Sequence, residues 1–248
     1  AEKIGAFARR GLAVEIVEPA DPNDPPKLVA AGQGDIALSY QPQLTMQVDQ
    51  GLPLARIGVL IDTPLNMLLA LKDNGIAAIA DLKGRKIGYS VGGFEDALLK
   101  TMLATAGLAL GDVELVNVNF ALSQSLLAGT ADAVIGAYRN YELNILAIEG
   151  KPAMPFFVEE YGVPLYDELI FVARRDVAGE AWGHFVADRP QLADELNLRA
   201  WADTMNRFAH ATAAADTARY TAFSAYLHAQ GLIGTARPGG DYLVRPGG

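Results

Sequence analysis

A short connector occurs twice in this chain. Ala31-Gly32-Gln33-Gly34-Asp35-Ile36-Ala37 and Ala128-Gly129-Thr130-Ala131-Asp132-Ala133-Val134 share Ala-Gly-x-x-Asp followed by two apolar residues, each after a helical pattern and before a short apolar run. A glycine in that place ends a helix in the left-handed conformation, and the aspartate sits in the turn that feeds a buried strand. One such connector is ordinary in any helix-to-strand junction. Two copies at equivalent places in successive series favour two similar α/β units over a helical bundle or a β-sandwich.

The rest of the pattern fits that organisation. Residues 1–10 read as a helix ended by Gly11, Val14 and Ile16 alternate with Glu15 as a half-buried strand, and a proline-rich turn over 19–26 opens the next helix. Strands are expected at 36–40, 55–60, 86–89, 113–118 and 133–137, with helices over 94–106 and 123–128. Residues 152–164 read as a proline-containing connection, and the pattern from Val177 to about Gly231 is helical almost throughout. Leu65 to Leu71 and Leu169 to Ala173 are nearly continuous apolar runs, read as long strands that cross between the units. Residues 1–72 with 169–248 then form one lobe and 73–168 the other, joined as at a hinge. Ligands of such folds sit where the carboxyl ends of strands meet helix N-termini, here between the lobes.

Composition removes several function classes. Twenty lysines and arginines against 29 acids leave a net charge of −9, which repels a phosphate backbone, so nucleic acid is not an expected partner. Without a cysteine there is no disulfide, thiolate metal site or cysteine nucleophile, and three histidines leave little for a zinc site. No apolar run approaches the roughly 20 residues of a membrane span. No charged segment followed by an apolar core opens the sequence, so an export signal is not legible in it. His184, His210 and His228 all fall in the C-terminal helical pattern, far from the strand ends, and read as packing or surface residues rather than members of a triad. Neither catalysis nor a cofactor is indicated.

Four segments remain as candidates for ligand contact. Gly88-Tyr89-Ser90-Val91-Gly92-Gly93-Phe94-Glu95-Asp96 is a strand, a turn of small residues and a helix start. It matches neither the dinucleotide fingerprint nor a P-loop, yet its backbone N–H groups would be free to donate to a polar or anionic ligand. Ser39-Tyr40-Gln41 ends the strand of the first connector, with Tyr40 able to stack on a flat ligand and Ser39 or Gln41 to bond its edge. Tyr138 and Glu142, four residues apart, would share a helical face, with Arg139 and Asn140 pointing elsewhere. Tyr161 to Glu168 holds two tyrosines and the pair Asp167 and Glu168, which point oppositely on an extended segment. Aromatic faces beside an acid suit a flat, amine-bearing ligand. Structural turns, a tyrosine covering the sheet rim and exposed loop acids remain as competing readings.

These residues also carry a resemblance. Lys27 to Gly32 with Asp35-Ile36-Ala37, then Asp81-Leu82-Lys83-Gly84-Arg85-Lys86-Ile87-Gly88-Tyr89-Ser90-Val91-Gly92-Gly93-Phe94-Glu95-Asp96, then Asp132 to Ala137 and Gly162 to Glu168, resemble the ThiY-like substrate-binding proteins of ABC importers for thiamine pyrimidine precursors. The resemblance runs from residue 1 to about residue 235. It implies a type II periplasmic-binding-protein fold of two doubly wound α/β lobes. It also implies capture of a 4-amino-2-methylpyrimidine of the hydroxymethyl or formylaminomethyl type, delivery to a membrane permease, an extracytoplasmic location, a monomer, and no enzymatic step. Carried over residue by residue, it implicates Tyr40, Asn66, Ser90, Val91, Gly92, Gly93, Phe94, Glu95, the strand end Gly136 to Glu142 with Tyr138, Asn140 and Glu142, and Tyr166 with Glu168, which with Ser39 and Gln41 make up the candidate ligand-binding residues. The family begins with a strand ahead of the first helix, and this sequence opens inside that helix, so the first strand of lobe 1 is expected to be missing. A riboflavin or sulfonate receptor and a pyrimidine-forming enzyme of the same fold are the alternatives. That enzyme, however, draws on its own histidine and a cysteine-rich segment that have no counterpart before His184.

Overall fold

The computed structural model describes residues 2–177 and 217–243. In chain order the elements are α1 (Pro25–Ala30), β1 (Ala37–Ser39), α2 (Gln41–Asp49), β2 (Leu54–Ile61), β3 (Asn66–Leu71), β4 (Lys86–Tyr89), α3 (Phe94–Ala104), β5 (Glu114–Asn117), α4 (Leu122–Leu127), β6 (Ala133–Tyr138), α5 (Glu142–Ile148), β7 (Ala153–Phe157), β8 (Leu169–Arg174) and α6 (Thr217–Ala229). They build a three-stranded sheet, order β1-β8-β2, and a five-stranded sheet, order β5-β4-β6-β3-β7. In the larger sheet β4 runs parallel to both β5 and β6, and β3 lies antiparallel between β6 and β7.

Both copies of the connector behave as their chemistry requires. Gly32 follows α1 at φ 74° and Gly129 follows α4 at φ 70°, the left-handed turn that lets the chain reverse into β1 and β6. In the second copy Asp132 accepts from the Lys86 backbone N–H through Oδ2 at 2.8 Å, pinning the start of β6 to that of β4.

Alternation along β3 explains how the larger sheet is buried on both faces. Leu68 and Ala70 pack with Ile87, Ile135 and the α3 residues Phe94, Leu98 and Met102. Met67 and Leu69 point the other way, onto Leu122 and Leu126 of α4 and Leu146 of α5. The smaller sheet has its own core, with Leu44 and Val48 of α2 against Leu54, Val59, Ile170 and Val172. Helix α6 joins the two. Its Tyr220 belongs to the core of the smaller sheet, while Phe223 and Leu227 enter the core of the larger one. Tyr226 adds a hydroxyl contact to Thr101 of α3 at 2.7 Å.

Several expectations are corrected. Residues 2–7 form turns followed by a short 3-10 helix at Ala8–Arg10, and residues 12–19 have no regular structure. Leu12, Val14, Ile16 and Val17 are exposed, because an alternating pattern becomes a strand only where a sheet edge pairs with it, and none pairs here. The two apolar runs do not themselves cross between sheets. Residues 66–71 lie inside the five-stranded sheet and 169–174 at the centre of the three-stranded one, so the chain crosses in the short segments 62–65 and 162–168. Residues 153–157, read as part of a connection, are edge strand β7, where Pro155 is tolerated because β7 has one neighbour. Of the C-terminal helical pattern, α6 is present and the remainder lies outside the described residues, as do His184 and His210; His228 is exposed on α6.

Phe223 is fully buried in the core of the larger sheet while its helix also serves the smaller one. Phe223→Ala is expected to destabilise the protein by about 3–5 kcal/mol in urea unfolding.

Candidate functional site

Asp167 and Glu168 lie side by side just ahead of β8, where the chain re-enters the smaller sheet, and their carboxylates go in opposite directions. Asp167 faces the smaller sheet. It ion-pairs with Arg56 at 3.5 Å, and accepts from Arg219 at 2.9 Å and from the Tyr220 hydroxyl at 3.0 Å. Arg219 also donates to the Asp62 carbonyl at 2.7 Å, so one guanidinium holds both crossing segments.

Glu168 faces the larger sheet. Its Oε2 accepts from the backbone N–H groups of Leu65 at 2.8 Å and Asn66 at 3.0 Å and from the Tyr166 hydroxyl at 3.0 Å. Its Oε1 is shut off from solvent and has no hydrogen-bond partner among the described residues. Burial raises the Glu168 carboxyl above the ordinary range, against the opposing pull of those N–H donors.

Asn66 links this acid to a second one. Its N–H goes to Glu168, and its Oδ1 accepts from the Gly136 N–H at 3.1 Å. The ladder between β3 and β6 slips here: Met67 pairs with Ala137 and Leu68 with Ile135, so Gly136 bulges with φ at 97°. A Cβ on Gly136 would lie 2.5 Å from Glu95 Oε1, so the missing side chain is what gives the carboxyl of Glu95 its seat. Glu95 reaches back from the first turn of α3 to accept from the Ser90 N–H at 2.8 Å, with a further bond from Val91. Its carboxyl is pushed up to about 8, chiefly by burial and further by the charges of Glu168 and Asp96.

The expectation that the turn after β4 leaves its N–H groups free is therefore corrected. Ser90 and Val91 donate to Glu95, and Gly93 donates to Asp96 at 3.2 Å, because the helix supplies its own anions to its N-terminus. What the turn presents is an acid. Gly92 is exposed at its tip.

Three tyrosines complete the cluster. The Tyr166 ring is fully buried 5.2 Å from that of Phe223. Tyr40, ahead of α2, sits 5.5 Å from the ring of Phe94 at the start of α3, with the hydroxyl of Tyr138 at the end of β6 close enough to act on its own. Burial pushes the Tyr40 hydroxyl to about 12 and raises those of Tyr138 and Tyr166, so all three stay neutral and able to donate at ordinary pH.

Other candidate residues have structural employment. Gln41 takes the Asp167 N–H at 2.7 Å, Ser39 donates to Gln43 at 3.0 Å, and Phe94 is core. Tyr138 and Glu142 do not share a helical face, because Tyr138 ends a strand and Glu142 opens α5; instead the Glu142 carboxylate accepts from the Tyr138 N–H at 2.6 Å. Asn140 is exposed, its carbonyl taken by Asn144 at 2.9 Å. Two features were not legible beforehand: the bidentate Arg139–Glu159 pair at 2.7 and 2.8 Å, lying over Phe157, and the Arg56–Asp167–Arg219 network. A groove of about 350 Å³, lined by Val48, Leu52, Arg175, Arg237 and Asp241 among others, contains none of the cluster.

Gly136→Ala meets both the backbone conformation and the Glu95 carboxyl, and is expected to cost about 1–3 kcal/mol. The loss should shrink in a Glu95→Ala background, as a double-mutant cycle in urea would show. Glu95 binds its proton more tightly when folded than when unfolded, so stability from this group is complete below about pH 4.5 and lost as pH rises to about 8. Glu95→Gln should accordingly raise the melting temperature more at pH 8 than at pH 5.

Comparison with known proteins places this geometry. A protein of Haemophilus influenzae named for thiamine biosynthesis is 47% identical over 268 residues, covering 98% of this chain and 85% of that one. The formylaminopyrimidine-binding protein of Halalkalibacterium halodurans is 38% identical over 177 residues, 71% of this chain and 54% of that one. Among solved structures, the alkanesulfonate-binding protein SsuA of Xanthomonas axonopodis pv. citri superposes with a TM-score of 0.71 at 19% identity, covering 98% of this chain and 92% of that one. At that identity the likeness speaks for the fold, and the fold is that of the two-lobed substrate-binding proteins. The NMT1/THI5-like family pattern matches residues 1–183, and the chain belongs to that family.

Proposed function

We propose that this chain is the solute-binding component of an ABC importer. It captures a 4-amino-2-methylpyrimidine precursor of thiamine, of the hydroxymethyl or formylaminomethyl type, and delivers it to a membrane permease from outside the cytoplasmic membrane. Its lobes are the two sheets with their helices, one on either side of the crossing segments. Closure follows when a ligand touches both.

The observation that carries this reading is the unpartnered Oε1 of Glu168. A buried carboxylate oxygen without a donor is costly, and an incoming exocyclic amine would satisfy it. The acid stands at the crossing of the lobes beside the Tyr166 ring, so ring and acceptor are on hand for a flat amine-bearing heterocycle. The names of the two relatives, one for thiamine biosynthesis and one for binding a formylaminopyrimidine, point to the same ligand class. The cluster holds acids, amides and hydroxyls already engaged in fixing the backbone, an arrangement suited to holding a ligand rather than transforming it.

Calorimetry with 4-amino-5-hydroxymethyl-2-methylpyrimidine and its formylaminomethyl analogue, against thiamine, riboflavin and taurine, tests the assignment. Binding of a pyrimidine alone is expected, with recovery of unchanged ligand by mass spectrometry. Glu168→Ala should weaken it at least about tenfold, the usual loss for a charge-assisted hydrogen bond. Binding of taurine or riboflavin instead would overturn the ligand class.

A further inference from the structure

The two faces of the larger sheet meet the smaller lobe very differently. On the α3 face, α6 supplies part of the core: Phe223 and Leu227 are fully buried there and, with Ile233 just beyond the helix, pack among residues of α3, β3 and β6. Tyr40 and Met46 of the smaller lobe lie against the same core. Polar contacts follow that seam, with the Tyr226 hydroxyl 2.7 Å from that of Thr101 and Lys100 Nζ donating to the Gln230 carbonyl at 3.0 Å. The same helix is fastened to the smaller lobe by Tyr220 in its core, by the Ser224 hydroxyl 2.9 Å from that of Tyr242, and by the Gly239 N–H, which donates to the Thr221 hydroxyl at 2.7 Å. At its start Arg219 holds both crossing segments through the Asp62 carbonyl and the Asp167 carboxylate, so seam and crossings form one continuous attachment. The α4 face is different. Among the described residues, the core under α4 and α5 takes nothing from the smaller lobe. The described link on that side is an exposed hydrogen bond, from Asn119 Nδ2 to the Ala20 carbonyl ahead of α1 at 3.3 Å.

We propose that α6 is a strap that holds the lobes together along the α3 face throughout the binding cycle, so that the cleft opens and closes on the α4 face and the ligand enters between α1 and α4. Parting the α3 face would put two fully buried apolar side chains into water and separate the Tyr226 and Lys100 contacts together. Parting the α4 face releases an exposed hydrogen bond whose two ends water can satisfy. Two crossing segments alone leave the direction of a hinge motion open, and a third, noncovalent connection on one face fixes it. The inference goes beyond the pyrimidine-binding reading and rests on it only for the choice of ligand in the test.

Because the chain has no cysteine, nitroxide labels can be placed without background. One pair, Lys27→Cys with Gln124→Cys, spans α1 and α4, and the other, Ala104→Cys with His228→Cys, spans α3 and α6, all at exposed positions. Pulsed electron resonance reads both distances. In the ligand-free protein the α1–α4 distribution should be at least about twice as wide as the α3–α6 one. On adding 4-amino-5-hydroxymethyl-2-methylpyrimidine the α1–α4 distance should shorten by about 3 Å or more while the α3–α6 distance holds within about 1 Å. Tyr226→Phe should lower the melting temperature by about 2–4 °C yet leave the Kd for the pyrimidine within about twofold, because a contact made equally in the open and closed states does not bias closure. Equal widths in the free protein, an α3–α6 distance that moves with ligand as far as the α1–α4 one, or a loss of affinity of about tenfold in Tyr226→Phe would each overturn the strap while leaving pyrimidine binding intact. Absence of pyrimidine binding in calorimetry overturns the ligand reading instead, and the ligand-free widths then decide the strap by themselves.

Discussion

The carboxylate of Glu168 is the point on which the rest of the molecule turns. Fully buried, it ties the end of one crossing segment, through the N–H groups of Leu65 and Asn66, to the end of the other, on which it resides. The smaller sheet is not continuous in sequence: β8 returns to it after the whole of the larger one, β3 to β7, has been built. A buried acid with backbone donors from the opposite crossing is a strong way to register two such segments, because removing either partner leaves a desolvated charge or an unpaired N–H. Its neighbour Asp167 does the equivalent on the other side, gathering Arg56, Arg219 and Tyr220. Two consecutive residues just ahead of β8 therefore tie the crossing segments together from both sides.

From that junction the site follows by a chain of short-range demands. Asn66, fixed by Glu168, can bond the Gly136 N–H only because β6 bulges there. The bulge requires a positive φ, and the same residue must lack a Cβ to admit the Glu95 carboxyl. Glu95 in turn satisfies the N-terminal donors of the turn after β4, a task that small residues in that turn otherwise leave to a ligand. The result is an acidic, tyrosine-lined cluster where the turn's composition alone suggests an anion site.

Much of this was legible in sequence wherever the signal is local. The connectors at 31–37 and 128–134, the strand at 86–89 and the helix from Phe94 depend on periodicity and on glycine in a left-handed turn, and they appear where the pattern puts them. Asp167 and Glu168 face oppositely, as expected, although they lie just ahead of β8 and not within it. Three things were not local. Residues 12–17 have the alternation of a strand but no pairing edge, β7 hides behind Pro152 and Pro155, and Tyr138 and Glu142 straddle a strand end rather than sharing a helix. Among the candidate residues, Tyr40, Asn66, Glu95, Tyr138, Tyr166 and Glu168 come together, while Ser39, Gln41, Phe94 and Glu142 support the scaffold and Asn140 faces solvent.

By itself the sequence determined the two-unit α/β organisation, the family resemblance and the residue types available to a ligand: tyrosines, amides and carboxylates, with no cysteine and no basic surface. Only the tertiary structure decided which acid does what. Whether a carboxyl caps a helix or ties two crossing segments depends on how many N–H groups reach it and how completely water is excluded. Those quantities are set by segments far away in sequence that no local pattern connects: Glu168 with Leu65, 103 residues apart, and Glu95 with Gly136.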